Sequence, residues 1–286
     1  MSLDFDVFAV DPKPIPSAVP EFEQAAGPAT WPPSTSTLIS DDGGGALLVD
    51  CLITEEEARQ LATWVKSHGA DPGHVYITHP HADHFLGLPQ ILAEFPRARP
   101  VALADSIPAM EEQISAAFMQ VWGGFFPGQL TSKPVVPAAL AGTTIPIGSS
   151  EAVVIPVGTT DTVHSTVVHV SGLSLVVSGD AVYNQTHMWL MRSTPDTRSS
   201  WARALDAVAA LEADTIIAGH RNPQAPDDDA RRQISECRRY IGDFEAALER
   251  STTPAELIDR MTTAYPDLAN PYTLWVAAYD LLGPKN

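Results

Sequence analysis

Seven residues constrain this chain more than any other stretch: Thr78-His79-Pro80-His81-Ala82-Asp83-His84. Three imidazoles and a carboxylate stand within six positions, 79 to 84. The β-branched and aromatic run His74-Val75-Tyr76-Ile77 precedes them and reads as a short strand, and Phe85 to Phe95 reads as a helix. The seven residues therefore lie on a strand-to-helix loop. Neutral imidazole and carboxylate are the usual ligands of zinc and related transition metals. His79 and His81 are two apart, so an extended loop can point them the same way, while Asp83 and His84 turn with the chain at the helix start and can face a second ion. Solvation alone gives no reason for ligand-type side chains at four of these six positions.

Further residues of the same chemistry follow strand-like runs downstream. His164 stands in Asp161-Thr162-Val163-His164-Ser165, after Ala152 to Val157. Asp180 ends Leu173-Ser174-Leu175-Val176-Val177-Ser178-Gly179, and His220 ends Thr215-Ile216-Ile217-Ala218-Gly219. Each alone is weak, because a single His or Gly-Asp at a strand end is more often a turn. Together and in this order, they and the His-x-His-x-Asp-His run resemble the signature of the metallo-β-lactamase-fold hydrolase superfamily. The resemblance spans roughly residues 35 to 225. It implies an α/β fold: an αββα sandwich of two mixed β-sheets flanked by helices, each half feeding ligands to one edge. Residues 226–286 add C-terminal helices to what is read as one domain spanning 1–286.

Carried over residue by residue, the resemblance implies that His79, His81 and His164 hold a first ion. Asp83, His84 and His220 hold a second, and Asp180 bridges the two. The implied cofactor is two zinc ions, with manganese(II) or iron(II) as alternatives. Two close divalent cations repel strongly, so a bridging carboxylate and a bridging hydroxide offset them. That hydroxide attacks the carbonyl of an ester, lactone, thioester or amide, with Asp83 and Tyr183 read as catalytic. The set including Asp180 is more similar to glyoxalase-type thioesterases and lactonases than to true β-lactamases. Val163 departs from the glycine that commonly precedes the family's histidine. Gly179 to Asn184, with His187, resembles a subgroup of uncharacterised hydrolases in the superfamily. In this reading Tyr183 donates to the substrate oxyanion and His187 lines the pocket, the alternative being that both are loop residues outside the reaction. A mononuclear iron dioxygenase of the persulfide type, on the same scaffold, is the rival from another class.

Composition narrows the partners. The net charge of −18 argues against a nucleic-acid surface, which needs clustered Lys and Arg. The N-terminus has no basic region ahead of an apolar core, and no apolar run approaches the roughly 18 residues of a membrane span. The expectation is a cytoplasmic enzyme acting on a small molecule. Cys51 and Cys237 form no paired motif. Cys51 reads as a core residue, and Cys237 lies in an arginine-rich helix that implies no site.

The remaining elements follow from pattern. Asp4 to Val10 reads as a strand, and the Pro-rich segment Asp11 to Pro33 as irregular surface. Thr35 to Ile39 and Ala46 to Val49 form a hairpin about Asp41-Asp42-Gly43-Gly44-Gly45. Thr54 with Glu57 signals a capping box. Ser106 to Trp122 reads as one helix entering a glycine-hinged aromatic segment, a lid or pocket wall over 106–130. Phe118, Trp122 and Met188 are the expected apolar substrate contacts, with Arg192 and Arg198 available to a carboxylate. Trp275, Tyr279 and Leu282 sit on a C-terminal helix that caps the sandwich or, alternatively, makes a homodimer contact.

Overall fold

The computed structural model describes residues 2–284. A six-stranded sheet runs in the order Leu3–Ala9, Thr35–Asp41, Ala46–Val49, His74–Tyr76, Arg99–Ala102, Ala138–Ala139. Its first three strands are antiparallel neighbours and the rest add in parallel. A five-stranded sheet runs Thr215–Ala218, Leu175–Gly179, Ser165–Val170, Ser150–Gly158, Thr144–Ile147. Only its Leu175–Gly179 and Thr215–Ala218 pair is parallel.

Side chains alternate across each strand, and this builds two kinds of core. Leu47, Val49, Leu175 and Val177 point between the sheets and pack with Ile39, Val154 and Ile217. Leu48 points outward and packs under Leu61 and Val65 of the helix Glu55–Ser67. Val176 packs under Trp201 and Leu205 of Pro195–Ala209, beside Ile234 and Ile241 of Ala230–Glu249. Burying such a side chain is worth about 1.5–3 kcal/mol, so both sheets need cover on both faces, and helix–sheet–sheet–helix layering supplies it. The parallel pairs also matter for function. In register, Val49 faces Tyr76 and Gly179 faces Ala218. Asp50, Thr78, Asp180 and His220 therefore emerge from neighbouring strand ends at one edge.

Two expectations change. The helix over 106–122 is broken into Ile107–Gln113 and Ala116–Phe125. The break comes at Ser115, whose hydroxyl accepts the Phe118 N–H and so starts a new helix. The segment 11–33 is not irregular surface. It forms the ladder Lys13–Pro14 with Thr30–Trp31 and the helix Pro20–Ala26, and it buries Ile15, Phe22 and Trp31. Its apolar residues are too sparse to show a period. They are covered from far along the chain: the Phe22 ring lies 5.0 Å from Tyr272 and 5.4 Å from Trp275. The helix Pro271–Leu282 thereby caps the sandwich, with Tyr272 in one core and Leu274 in the other. Among the described residues, no helix is long and apolar enough to cross a membrane.

The capping box forms as its spacing predicts. Thr54 Oγ1 accepts the Glu57 N–H at 3.3 Å, and the Glu57 carboxylate takes the Thr54 N–H at 3.4 Å. Thr54→Ala is expected to cost about 1 kcal/mol of unfolding free energy in urea titration, and Thr54→Ser much less. Equal midpoints for all three proteins would contradict this.

Candidate metal centre

The site is organised around Asp50. It holds a left-handed backbone (φ 61°), a conformation that Asp tolerates better than most residues. Its Oδ1 accepts the Thr78 N–H at 2.9 Å, and Oδ2 accepts the Thr78 hydroxyl at 2.8 Å. His84 Nδ1 lies 2.8 Å from the same Oδ2. Having given its proton to Asp50, the Thr78 hydroxyl is the acceptor for His79 Nδ1 at 3.0 Å. His220 Nδ1 faces the Pro33 carbonyl at 3.1 Å, which can only accept. In the neutral form of each ring the proton therefore sits on Nδ1, which leaves Nε2 with the lone pair that a metal ion takes.

Those lone pairs converge. His79, His81, Asp161 and Asp180 each bring one ligand atom within 4.8 Å of the others, and Asp83, His84 and His220 form a second such group. Asp180 stands between them: Oδ2 lies 3.7 Å from His79 Nε2 and 3.3 Å from His220 Nε2, and Oδ1 lies 3.3 Å from His84 Nε2. His220 Nε2 is 3.2 Å from Asp83 Oδ2. His79 Nε2, His84 Nε2, Asp161 Oδ2 and Asp180 Oδ1 are buried without a hydrogen-bond partner. An orphaned buried polar atom costs about 1–3 kcal/mol. Donor atoms that crowd together without bonding to one another fit cations set between them.

The imidazoles and carboxylates also compensate one another's charge. Burial alone would raise Asp83 and Asp180, yet the imidazoles of His84 and His220 hold both carboxyls below their ordinary range. Burial would lower His84 and His220, but the carboxylates outweigh it, and His220 is pushed up to about 10. His79 moves the other way, lowered by burial and by His84. Burial and the Asp180 carboxylate hold Tyr183 well above its usual value, so its hydroxyl stays a donor, 3.0 Å from Asp180 Oδ2.

Close packing holds the ligands in place. A Cβ on Gly219 would meet Asp180 Oδ1 at 2.3 Å and His84 Cε1 at 2.8 Å. Cys237 shapes the centre despite implying no site in sequence. Its sulfur accepts the Tyr183 N–H at 3.2 Å and donates to the Tyr183 carbonyl at 3.1 Å, which fixes the tyrosine. Burial pushes its thiol up to about 12, so it is inert.

A cavity of about 500 Å³ opens onto His81, Asp83, Asp161, Asp180, Tyr183 and His220. Phe118 and Trp122 line it, so part of 106–130 supplies a pocket wall. Trp31, Phe125 and Trp189 join them, and Arg192 lies on the lining. Arg198 does not; it is buried against Glu245.

Three expected residues lie elsewhere. His164 is exposed and belongs to neither donor group; its loop turns through a positive φ of 56° and carries Asp161 inward instead. His187 is buried with Nδ1 2.8 Å from the Tyr240 hydroxyl, and Met188 lines a separate cavity of about 310 Å³ behind Tyr183. Both are turned away because the His187 N–H is tied to the Ala269 carbonyl at 3.0 Å. Conversely, sequence reasoning missed Asp161, Asp50 and Trp31, whose indole donates to Asp83 Oδ2 at 3.1 Å. An Asp directly after the apolar run Ala46 to Val49 was a usable signal for Asp50, and Asp161 stands in the segment already singled out; Trp31 offered none.

Burial lowers His187 to about 4. The unfolded chain then takes up the proton first, so this residue's contribution is intact above about pH 6.5 and is lost as pH falls toward 4. His187→Gln is expected to gain up to about 3 kcal/mol on wild type between pH 7 and pH 4, read from urea unfolding at each pH. A constant difference would contradict it.

The sequence model of the metallo-beta-lactamase superfamily matches residues 29–220. Solved structures with a similar fold include a beta-lactamase domain protein from Burkholderia ambifaria, at 16% identity and TM-score 0.65, covering 96% of this chain and 86% of that one. A metallo-beta-lactamase family protein from Thermus thermophilus aligns at 17% identity and TM-score 0.64, covering 97% and 92%. A metallo-beta-lactamase from Pontibacter korlensis aligns at 19% identity and TM-score 0.58, covering 84% and 100%. No curated protein matches the sequence.

Proposed function

The chain belongs to the metallo-beta-lactamase superfamily, and from that premise we propose a dinuclear hydrolase that cleaves an ester, lactone, thioester or amide of a small, largely apolar substrate. The observation that carries this reading is the pair of donor groups with Asp180 between them. His79, His81, Asp161 and Asp180 would hold one ion; Asp83, His84 and His220, with Asp180 facing them, would hold the other. Zinc is the ion proposed, with manganese(II) or iron(II) as alternatives. When bound, such ions supply Lewis acidity and a water acidified to near-neutral pH.

The chain's own groups do the rest. Tyr183 keeps its proton on a hydroxyl at the cavity wall, and turning that hydroxyl from Asp180 to the substrate oxygen would supply a hydrogen bond as charge develops there. Asp83 is held by the Trp31 indole and acts as a ligand rather than as a separate base. The aromatic wall of Trp31, Phe118, Trp122 and Phe125 excludes water and takes an apolar acyl or lactone group. Its T-shaped contacts, such as Trp31 to Trp122 at 5.5 Å, keep that wall rigid. With a net charge of −18, a small molecule is a better substrate than a nucleic acid.

The test is a panel of aryl esters, long-chain lactones, thioesters and amides. Hydrolysis of apolar members is expected, abolished by a chelator and restored by divalent ions. Tyr183→Phe is expected to lower kcat on the order of 10²-fold with the ions retained. Preference for short anionic thioesters would contradict the apolar pocket, and unchanged turnover in Tyr183→Phe would remove its role.

A further inference from the structure

Asp161 is built as a ligand. Its Oδ1 accepts the Thr160 hydroxyl at 2.9 Å, and the Thr160 hydroxyl is itself 2.7 Å from Ser165 Oγ. This leaves Oδ2 buried, unpartnered, and 3.0 Å from His81 Nδ1. The pair falls outside hydrogen-bond geometry despite its short distance, which leaves both atoms available to a common third atom. The Asp161 side chain is 0% exposed, whereas His164, three residues on, is exposed. Ser106 Oγ donates to the His164 carbonyl at 2.9 Å and anchors the backbone of that turn.

The substitution changes the chemistry of the site. With Asp161 in place, the first group offers two imidazoles and two carboxylates, counting Asp180. The second offers the same: His84 and His220 with Asp83 and Asp180. A histidine at that point would leave three imidazoles and one carboxylate in the first group. Carboxylate oxygen suits manganese(II) and similarly hard ions, and imidazole suits zinc. We infer that Asp161, not His164, completes the first position and, relative to a third histidine there, shifts its preference from zinc toward manganese(II), matching its donors to those of the second. This rests on the reading of the site as a holder of two divalent ions.

The test uses the full-length protein stripped of metal and titrated separately with manganese(II), followed by the spectrum of the free ion, and with zinc, followed by calorimetry. Asp161→Asn is expected to weaken manganese binding at one of two positions by at least tenfold. Asp161→His is expected to keep two zinc equivalents while losing manganese affinity at one position. His164→Ala is expected to match wild type with both ions. Thermal melts of the metal-free proteins separate loss of a ligand from loss of the fold, and Asp161→His retains a donor in case the Asn variant is unstable. Loss of an ion in His164→Ala with none lost in Asp161→Asn would overturn the inference and leave the functional reading standing. A wild-type protein that takes up no divalent ion would overturn both.

Discussion

The carboxylate of Asp50 is the constraint on which the centre depends. Three hydrogen-bonding groups meet it: the Thr78 N–H, the Thr78 hydroxyl and His84 Nδ1. Through them it sets the orientation of His79 and His84 together, with ring centroids 4.0 Å apart. Asp50 can reach both because Ala46–Val49 and His74–Tyr76 are parallel neighbours, so their chain ends leave the sheet side by side. On the second sheet, Leu175–Gly179 and Thr215–Ala218 do the same for Asp180 and His220. The two sheets are stitched at this edge by the Thr35 N–H to the Gly219 carbonyl and the Thr166 N–H to the Thr78 carbonyl. Sheet topology and ligand geometry are one problem with one solution.

Four imidazoles and three carboxylates gathered at one edge are expensive. Charges in a poorly hydrated setting cost several kcal/mol each unless they are compensated. The fold bears this cost through its apolar layers and shields the centre from several directions. Trp31 closes over Asp83, the Pro271–Leu282 helix clamps the Trp31 segment through Phe22, and Cys237 holds Tyr183 from behind. The C-terminal helices therefore belong to the account of the site even though they give it no ligand.

How much of this was legible depended on how local each signal was. The hairpin, the capping box and the run from His79 to His84 are short-range patterns, and they appear where their spacing placed them. Asp180 and His220 were readable because each ends an apolar run that could only be a buried strand. The first donor group was readable only in part. Asp161 and His164 are both ligand types three residues apart on one loop, and spacing does not say which turns inward. That choice is made by the Thr160 hydroxyl and by the left-handed turn at His164. His187 and Met188 follow Asp180 closely in sequence but are carried away by a bond to Ala269, a partner 82 residues on from His187 (269 − 187) that no local pattern reveals. Trp31 lies in a proline-rich segment without periodicity, and its burial comes from residues near the opposite end of the chain.

The central claim is that these buried donors hold two divalent ions. Its most direct test is elemental mass spectrometry of the protein purified without added metal. The account predicts about two equivalents of zinc, or of manganese, per chain. One equivalent of iron, with oxygen consumed on a sulfur substrate, would contradict it and favour a dioxygenase on the same scaffold.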